Sequence, residues 1–455
     1  MTVWDRVESV HGPAWLRTVA ALAVVAMCGT GATEPIGSEI ERMLETSPRI
    51  RAAVQELEAA RHEVGAARAA ALPALSLRAD TGPERLDTPT SRRIAGDIGR
   101  SDLMRRTADL AVSQLLYDGS HTSANLAAAR ITERLAGLNL GLATQNVLFD
   151  AARAYSNVLR QLDLLALARG NMTVIQTQMG LEDARVARGS GVAVDVLLAK
   201  ARLQLATERV VAYEGALAEA RTRYMQVFGW WPNADSMSRP KLPEDLAPDT
   251  FGEMVSTTLE RNLSLAIAAD EVLVASQDKR MAAASRLPRV DLVAAYRFEE
   301  DLAALPGWGD SYSLLLTLGW DFFSGFSNPS RVSAAAARHE QVRLTAEDVR
   351  RRVTEDATLA FEDLQTKRRR VEMLANASTI AEEVFEARVR LREAGSETAL
   401  NVLDARSETF RTRIALAEAT FDAEVALVRL LLTCGLLDAA ALGAATPSFL
   451  AEHMR

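Results

Sequence analysis

The side chains that most often carry chemistry are scattered in this chain. The five histidines, His11, His62, His121, His339 and His453, lie too far apart for any two to share a helix turn. Zinc needs His, Cys or carboxylate ligands converging at short spacing, so these positions imply no metal site. The two cysteines, Cys28 and Cys434, stand near opposite ends. Removal of an N-terminal leader would leave one thiol and no intramolecular disulfide. No glycine-rich loop follows a strand pattern to cradle phosphate. Carboxylates are plentiful, but they sit in mixed-charge runs such as "EDVRRRVTED" (Glu347 to Asp356), where solvation is the default. The residues therefore predict neither an enzyme nor a cofactor.

A short cassette occurs twice instead. "GSGVAVDVLLA" runs from Gly189 to Ala199 and "GSETALNVLDA" from Gly395 to Ala405, an offset of 206 residues with six identical positions. The same offset relates Gly119 to Gly325 and Gly229 to Gly435. Upstream it becomes 215, relating Pro73 to Pro288 and Ser47 to Asn262. The chain is an internal duplication with one variable loop in each half. It divides into a leader (1–32), a first repeat (33–235), a second repeat (236–437) and a tail (438–455).

Each cassette must be held by the elements around it. Ser330 to Ala394 contains no Gly or Pro, and apolar residues recur at Val353, Ala357, Ala360, Leu364, Val371 and Leu374. This heptad-like seam resumes after Gly395 at Leu403, Phe410, Ile414, Ala417, Phe421, Val425, Val428 and Leu432. Two such helices joined by a Gly-Ser turn make an antiparallel hairpin. The first half repeats it as Ser120 to Arg188 and Val194 to Phe228. Helices of this length, at ~1.5 Å per residue, project as rods.

Before each long helix the pattern alternates with period two. "RVDLVAAYRF" puts Val290, Leu292, Ala294, Tyr296 and Phe298 on one face. "YSLLLTLGWD" does the same with Tyr312, Leu314, Leu316, Leu318 and Trp320. "ALSLRAD" and "ADLAVSQLLY" are weaker copies in the first half. Strands of about ten residues with aromatic ends have the pattern of an outer-membrane barrel; a half-buried soluble sheet is the other reading. Four strands cannot close a barrel, and an open edge cannot sit in lipid, so other subunits must complete it. The breaker-rich loops "TGPERLDTPTSRRIAGDIGR" and "EEDLAALPGWGD" would then face outside.

A net charge of −8 argues against a nucleic-acid partner, and "KRRR" (Lys367 to Arg370) reads as a solvated helix face. Arg6 and Arg17, then "TVAALAVVAMC" (Thr18 to Cys28) and "TGA", read as a secretory leader. Cys28 as a lipid acceptor is the alternative there.

Together these stretches resemble the TolC family of outer-membrane channel-tunnels. The resemblance rests on "SPRI" and "LPRVDL" before the strand pairs, "YDG" and "FFSG" at the strand-to-helix junctions, and "AGSETALNVLDA" at the second tip. It covers roughly Ile36 to Leu437. It implies an α+β membrane protein: a homotrimeric β-barrel of about 12 strands in the outer membrane, four per chain, continuous with a long periplasmic α-helical barrel of antiparallel coiled-coil hairpins. The implied partners are outer-membrane lipid, a periplasmic adaptor and an inner-membrane transporter. Gly189 and Gly395 would turn the hairpin tips, and Val192, Ala193, Ala399 and Leu400 would meet the adaptor. Asn401 and Asp404 fall where the family carries an acidic pair at the pore entrance. Asp404 keeps the acid and Asn401 has lost it. Asp195 is the first-repeat partner of Asn401. "VFGWWPNADSMSRPKLP", with Trp230, Trp231 and Pro232, is a mid-tunnel belt or a plain linker. "RLLLTCGLL" favours an exit duct for type I protein secretion. A multidrug efflux duct and a periplasmic coiled-coil adaptor or scaffold are the alternatives.

Overall fold

A computed structural model describes residues 36–86, 89, 93, 101–189, 192–301 and 307–453. The expected leader with Cys28 and most of the longer loop lie outside the described residues.

The first half begins with α1 (Ile36–Thr46) and α2 (Pro48–Ala69). Pro48 opens α2 at a position where its missing N–H costs nothing. Strands β1 (Ala74–Leu86) and β2 (Ser101–Tyr117) follow, then the hairpin α3 (His121–Ala187) and α4 (Ala193–Phe228). The second half repeats the order with α5 (Phe251–Arg261), α6 (Leu263–Ala284), β3 (Arg289–Glu300), β4 (Trp308–Gly319), α7 (Ser327–Glu393) and α8 (Ala399–Thr433). A short α9 (Ser448–His453) lies in the tail. Both α3 and α7 have 67 residues, about 100 Å at ~1.5 Å per residue. Pro329 sits inside α7, but in its first turn, where it breaks no hydrogen bond. Among the described residues no helix is long and apolar enough to cross a membrane.

The strands form one antiparallel sheet in the order β1-β2-β3-β4. They run further than the alternation suggested. Thr81–Leu86, Glu299–Glu300 and Trp308–Asp310, expected in loops, pair in register, as in Pro83 with Met104 and Glu300 with Trp308. Within this chain β1 has a partner strand on one side only, so Pro83, which lacks an N–H, removes at most one ladder bond. The register steps once, between Leu115 and Tyr117, a bulge where β2 turns into the helical region.

Half of the expected seam residues are buried, while Val353, Val371, Leu374, Ile414, Ala417, Val425 and Leu432 are half-buried. Ala357, Ala360 and Leu364 of α7, and Leu403, Phe410, Phe421 and Val428 of α8, are buried. The main core sits at mid-height, around Tyr155, Leu148, Tyr224, Phe228, Met43 and Leu44. Here two helix ends meet. Asn262, the N-cap of α6, donates from Nδ2 to the Thr433 carbonyl at the end of α8, 2.8 Å away. Gly435 (φ +71°) lets the chains close up, since a Cβ there would lie 2.3 Å from the Arg261 carbonyl oxygen. The segment after α4 is no free linker. Tyr155 Oη donates to the Ser238 carbonyl at 2.9 Å, and Arg239 meets Glu424 at 2.6 Å. Trp230 is an anchor: its Nε1 donates to Glu39 at 2.6 Å, and Arg42 stacks 4.2 Å above its ring. Trp231, named with it, stays exposed.

Candidate functional site

Two regions can act, the sheet and the hairpin tips. The cross-strand register sorts the sheet into two chemically distinct faces. Leu77, Leu110, Tyr296 and Tyr312 form one cross-strand row; Leu75, Val112, Ala294 and Leu314 form the next. These rows lie on one face. The opposite face is polar. Arg105 meets Asp80 and Glu84, each at 3.5 Å, Thr107 donates to Asp80 at 2.8 Å, and Arg297 pairs with Asp109. No described residue covers Tyr312 or Leu314 on the apolar face: they are 87% and 69% exposed. Below β4, Trp320, Phe322, Phe323 and Phe326 are also exposed and pair edge-to-face. Aromatics concentrated beside an apolar band suit a membrane–water interface. Among the described residues, β1 and β4 each have one unpaired edge.

At the first tip, Gly189 adopts φ +74°, a left-handed turn that a Cβ would strain. Val192 is the N-cap of α4, with no side-chain cap, and Val192 and Ala193 are exposed. Val194 and Leu197, which the sequence did not single out, are exposed beside them and enlarge the apolar tip. Asp195 lies in the first turn of α4 and is half-buried.

At the second tip, Gly395 has φ +78°. Thr398 caps α8 by accepting the Asn401 N–H at 3.3 Å. The Asn401 side chain donates back to Glu397, and the Thr398 N–H reaches the same carboxylate at 2.9 Å. Arg392 donates to the Glu397 carbonyl at 2.9 Å, and Arg388 approaches its carboxylate at 3.5 Å. The hydrogen bond from Asn401, then that from the Thr398 backbone, holds the Glu397 carboxyl below its ordinary range. Leu400 is 37% exposed, and Ala399 opens α8.

Near the tips, two ion pairs among the described residues tie the hairpins together. Arg392 of the second reaches Glu182 of the first at 2.8 Å, and the Glu182 side chain is only 5% exposed. Arg202 of the first meets Asp404 of the second at 2.8 Å, both side chains being partly exposed. Asp404 thus faces the neighbouring hairpin, and Asn401 is occupied within its own turn. Sequence reasoning missed Glu182, Arg202 and Arg392, because no local pattern distinguishes them from other charges on these helices. Among the described residues, no group of His, Cys, Asp or Glu could hold a metal.

The profile of the outer membrane efflux proteins matches residues 40–229 and 254–436. The chain belongs to this family. Family membership places the protein in the outer membrane, with its helical part as a periplasmic tunnel, and makes it a channel component rather than an enzyme. Outer membrane efflux protein BepC of Brucella suis is 25% identical over 338 residues, 74% of each chain. Proteases secretion protein PrtF of Dickeya chrysanthemi is 22% identical and covers 93% of each. In three dimensions, a membrane protein from Pseudomonas aeruginosa aligns with TM-score 0.78 at 22% identity, covering 88% of this chain and 93% of that one. The Campylobacter jejuni CmeC outer membrane channel aligns with TM-score 0.78 at 12% identity, covering 100% and 98%. These likenesses fix the fold: channel-tunnel hairpins with a four-stranded sheet.

Proposed function

We propose that three copies of this chain close one outer-membrane barrel of about 12 strands and form the exit duct of a tripartite export system. One observation carries this reading: a sheet with an apolar face, a charged face and two unpaired edges. Hydrocarbon offers no partner for a strand edge, so neighbouring copies must supply it. Each repeat, 33–235 and 236–437, then contributes two strands and one hairpin. A free-standing coiled-coil adaptor has no use for such a sheet. Cargo would enter from an inner-membrane transporter through a periplasmic adaptor docked on the tips, at Gly189, Val192, Ala193, Gly395, Ala399 and Leu400. Asp404 and Asn401 would stand at the entrance. The test of assembly is size: detergent extract should contain a three-subunit particle, and a stable monomer without membrane association would overturn the reading.

The finer proposal is type I protein secretion. The near end-to-end match to a protease secretion protein supports it, while the likeness to an efflux protein supports export of small molecules instead. Deleting the gene separates the two. Loss of one protein from the culture medium supports secretion; retention of lipophilic dyes with an unchanged medium supports efflux.

A further inference from the structure

Each of the four long helices packs on the next in the order α4, α3, α8, α7. A hollow of about 740 Å³ at mid-height is nonetheless lined by all four, including the outermost pair, with Arg49 of α2 at its rim. Only the concave side of a curved layer brings its first and last members to one cavity. The side chains sort accordingly. Tyr155, Tyr224 and Phe228 turn to the other side, toward Ser238, Glu39 and Trp230. Arg153, Arg223 and Arg429 turn into the hollow.

The charges there do not balance. Three cations have partners: Arg49 with Asp150 at 2.8 Å, Arg160 with Asp422 at 3.3 Å and Glu418 at 3.6 Å, and Lys367 with Asp363 at 2.8 Å. These pairs use every carboxylate lining the cavity. Arg153, Arg223 and Arg429 have no ion pair or hydrogen-bond partner for their side chains among the described residues, and all three are exposed to the hollow. The Nε of Arg160 is also buried without a partner. Guanidinium forks match carboxylate and phosphate oxygens two at a time. Several unneutralised forks around one concavity focus a positive field where low-dielectric walls confine it.

We propose that this hollow is a binding site for multivalent anions, groups carrying several carboxylates or phosphates, held by Arg153, Arg223 and Arg429. Its place on a tunnel wall rests on the duct reading above; the site itself rests only on the chain. The ligand's source is either acidic stretches of exported cargo or small phosphate-bearing anions free in solution.

The test is calorimetric titration of the purified, detergent-solubilised full-length protein with inorganic tripolyphosphate and, separately, with an oligo-aspartate peptide. At least one should bind. The triple variant R153Q/R223Q/R429Q should bind it at least about tenfold more weakly, the scale of lost charge-assisted hydrogen bonds. Removing the same charge elsewhere, with R331Q/R338Q/R350Q on α7, should change affinity less than about twofold, the residual expected of long-range charge alone. The triple Arg-to-Lys variant keeps the charge and loses the forks, so it should fall between wild type and the Gln variant even if the latter folds poorly. Binding of the peptide but not tripolyphosphate assigns the site to cargo; the converse assigns it to free phosphates. Absence of binding by the wild type, or equal loss in the α7 control, overturns the proposal. Conductance in planar bilayers separates the two claims: binding without pores sinks the duct and keeps the site, and pores without binding do the reverse.

Discussion

The two hairpin tips share a backbone and differ in what fastens it. Gly189 and Gly395 make the same left-handed turn, and 206 residues separate every matched pair beyond them. Where the first tip has Val192, without a side-chain cap, the second has Thr398, which caps. Where the first has Asp195, the second has Asn401, bonded back to Glu397. Leu198 on the first corresponds to Asp404 on the second, which reaches Arg202. Duplication conserved the fold-specifying residues and freed the rest to diverge, so one tip presents apolar surface and the other a polar clasp.

The largest effect should come from the residue serving both tips. Arg392→Ala removes the partner of buried Glu182 and the donor to the Glu397 carbonyl. It should cost about 2 kcal/mol, less than a fully buried pair because Arg185 still approaches Glu182 at 3.1 Å. Hydrogen exchange in detergent should then rise along Ala399–Leu403 more than along Ala193–Leu197. Equal rises would erase the distinction between the tips.

Swapping the caps should shift it in both directions. Thr398→Val should weaken the second tip by about 1 kcal/mol, and Val192→Thr should strengthen the first by up to the same amount. If Val192→Thr changes no exchange rate at Asp195, the missing cap is not what distinguishes the two tips.

Export should discriminate the tips differently. A bulky charge at Ala193 or Ala399 should abolish export and leave trimer and membrane insertion intact. Normal export from both variants would remove the tips from adaptor docking.

The Arg202–Asp404 pair is exposed enough to contribute between nothing and about 1 kcal/mol. Asp404→Asn should leave trimer stability unchanged while weakening block of the closed pore by multivalent cations. Arg202→Gln should strengthen that block by releasing the carboxylate. Equal block in all three proteins would return Asp404 to a purely structural role.

Acid gives the smallest and most selective test. The folded Glu397 carboxyl titrates below its unfolded value, so its contribution is complete above the unfolded range and is lost as pH falls through the folded one. Below about pH 4, near the ordinary glutamate value, the second tip should lose exchange protection relative to the intrinsic rate at that pH, while protection at the first, with no such carboxylate clasp, changes little.

Local chemistry explains what could be read from the sequence alone. Period-two alternation placed all four strands, a run without Gly or Pro placed α7 almost to its ends, and the repeat carried that reading to α3 despite Gly137, Gly141, Gly170 and Gly180 within it. The strand tips escaped notice because Gly82 and Pro83 look like breakers, yet both stay in register, opposite Arg105 and Met104. Ties such as Glu182 to Arg392 join residues 210 apart, and nothing local marks them. The same holds for Lys367. Within "KRRR" it reads as solvated surface, but it lines the arginine hollow beside Asp363. Trp230 and Trp231 are neighbours of identical type, and only Glu39 and Arg42, far away in sequence, decide which of them anchors.

The joint between α8 and α6 has a mechanical consequence. Beside it, α7 runs 67 residues on one unbroken backbone ladder. The α8–α6 line is instead two rods pinned end to end, with the Asn262 amide on the Thr433 carbonyl as the pin. A twisting load applied at the tips travels through α7 as elastic strain along its length. In the jointed line it concentrates at the pin, where the Asn262 hydrogen bond, that of Thr258 Oγ1 to Cys434 Sγ and the close seat of Gly435 against Arg261 resist it. The molecule therefore has a stiff spar and a hinged spar side by side. Any rotation of the lower hairpin relative to the sheet should pivot at the height of Asn262.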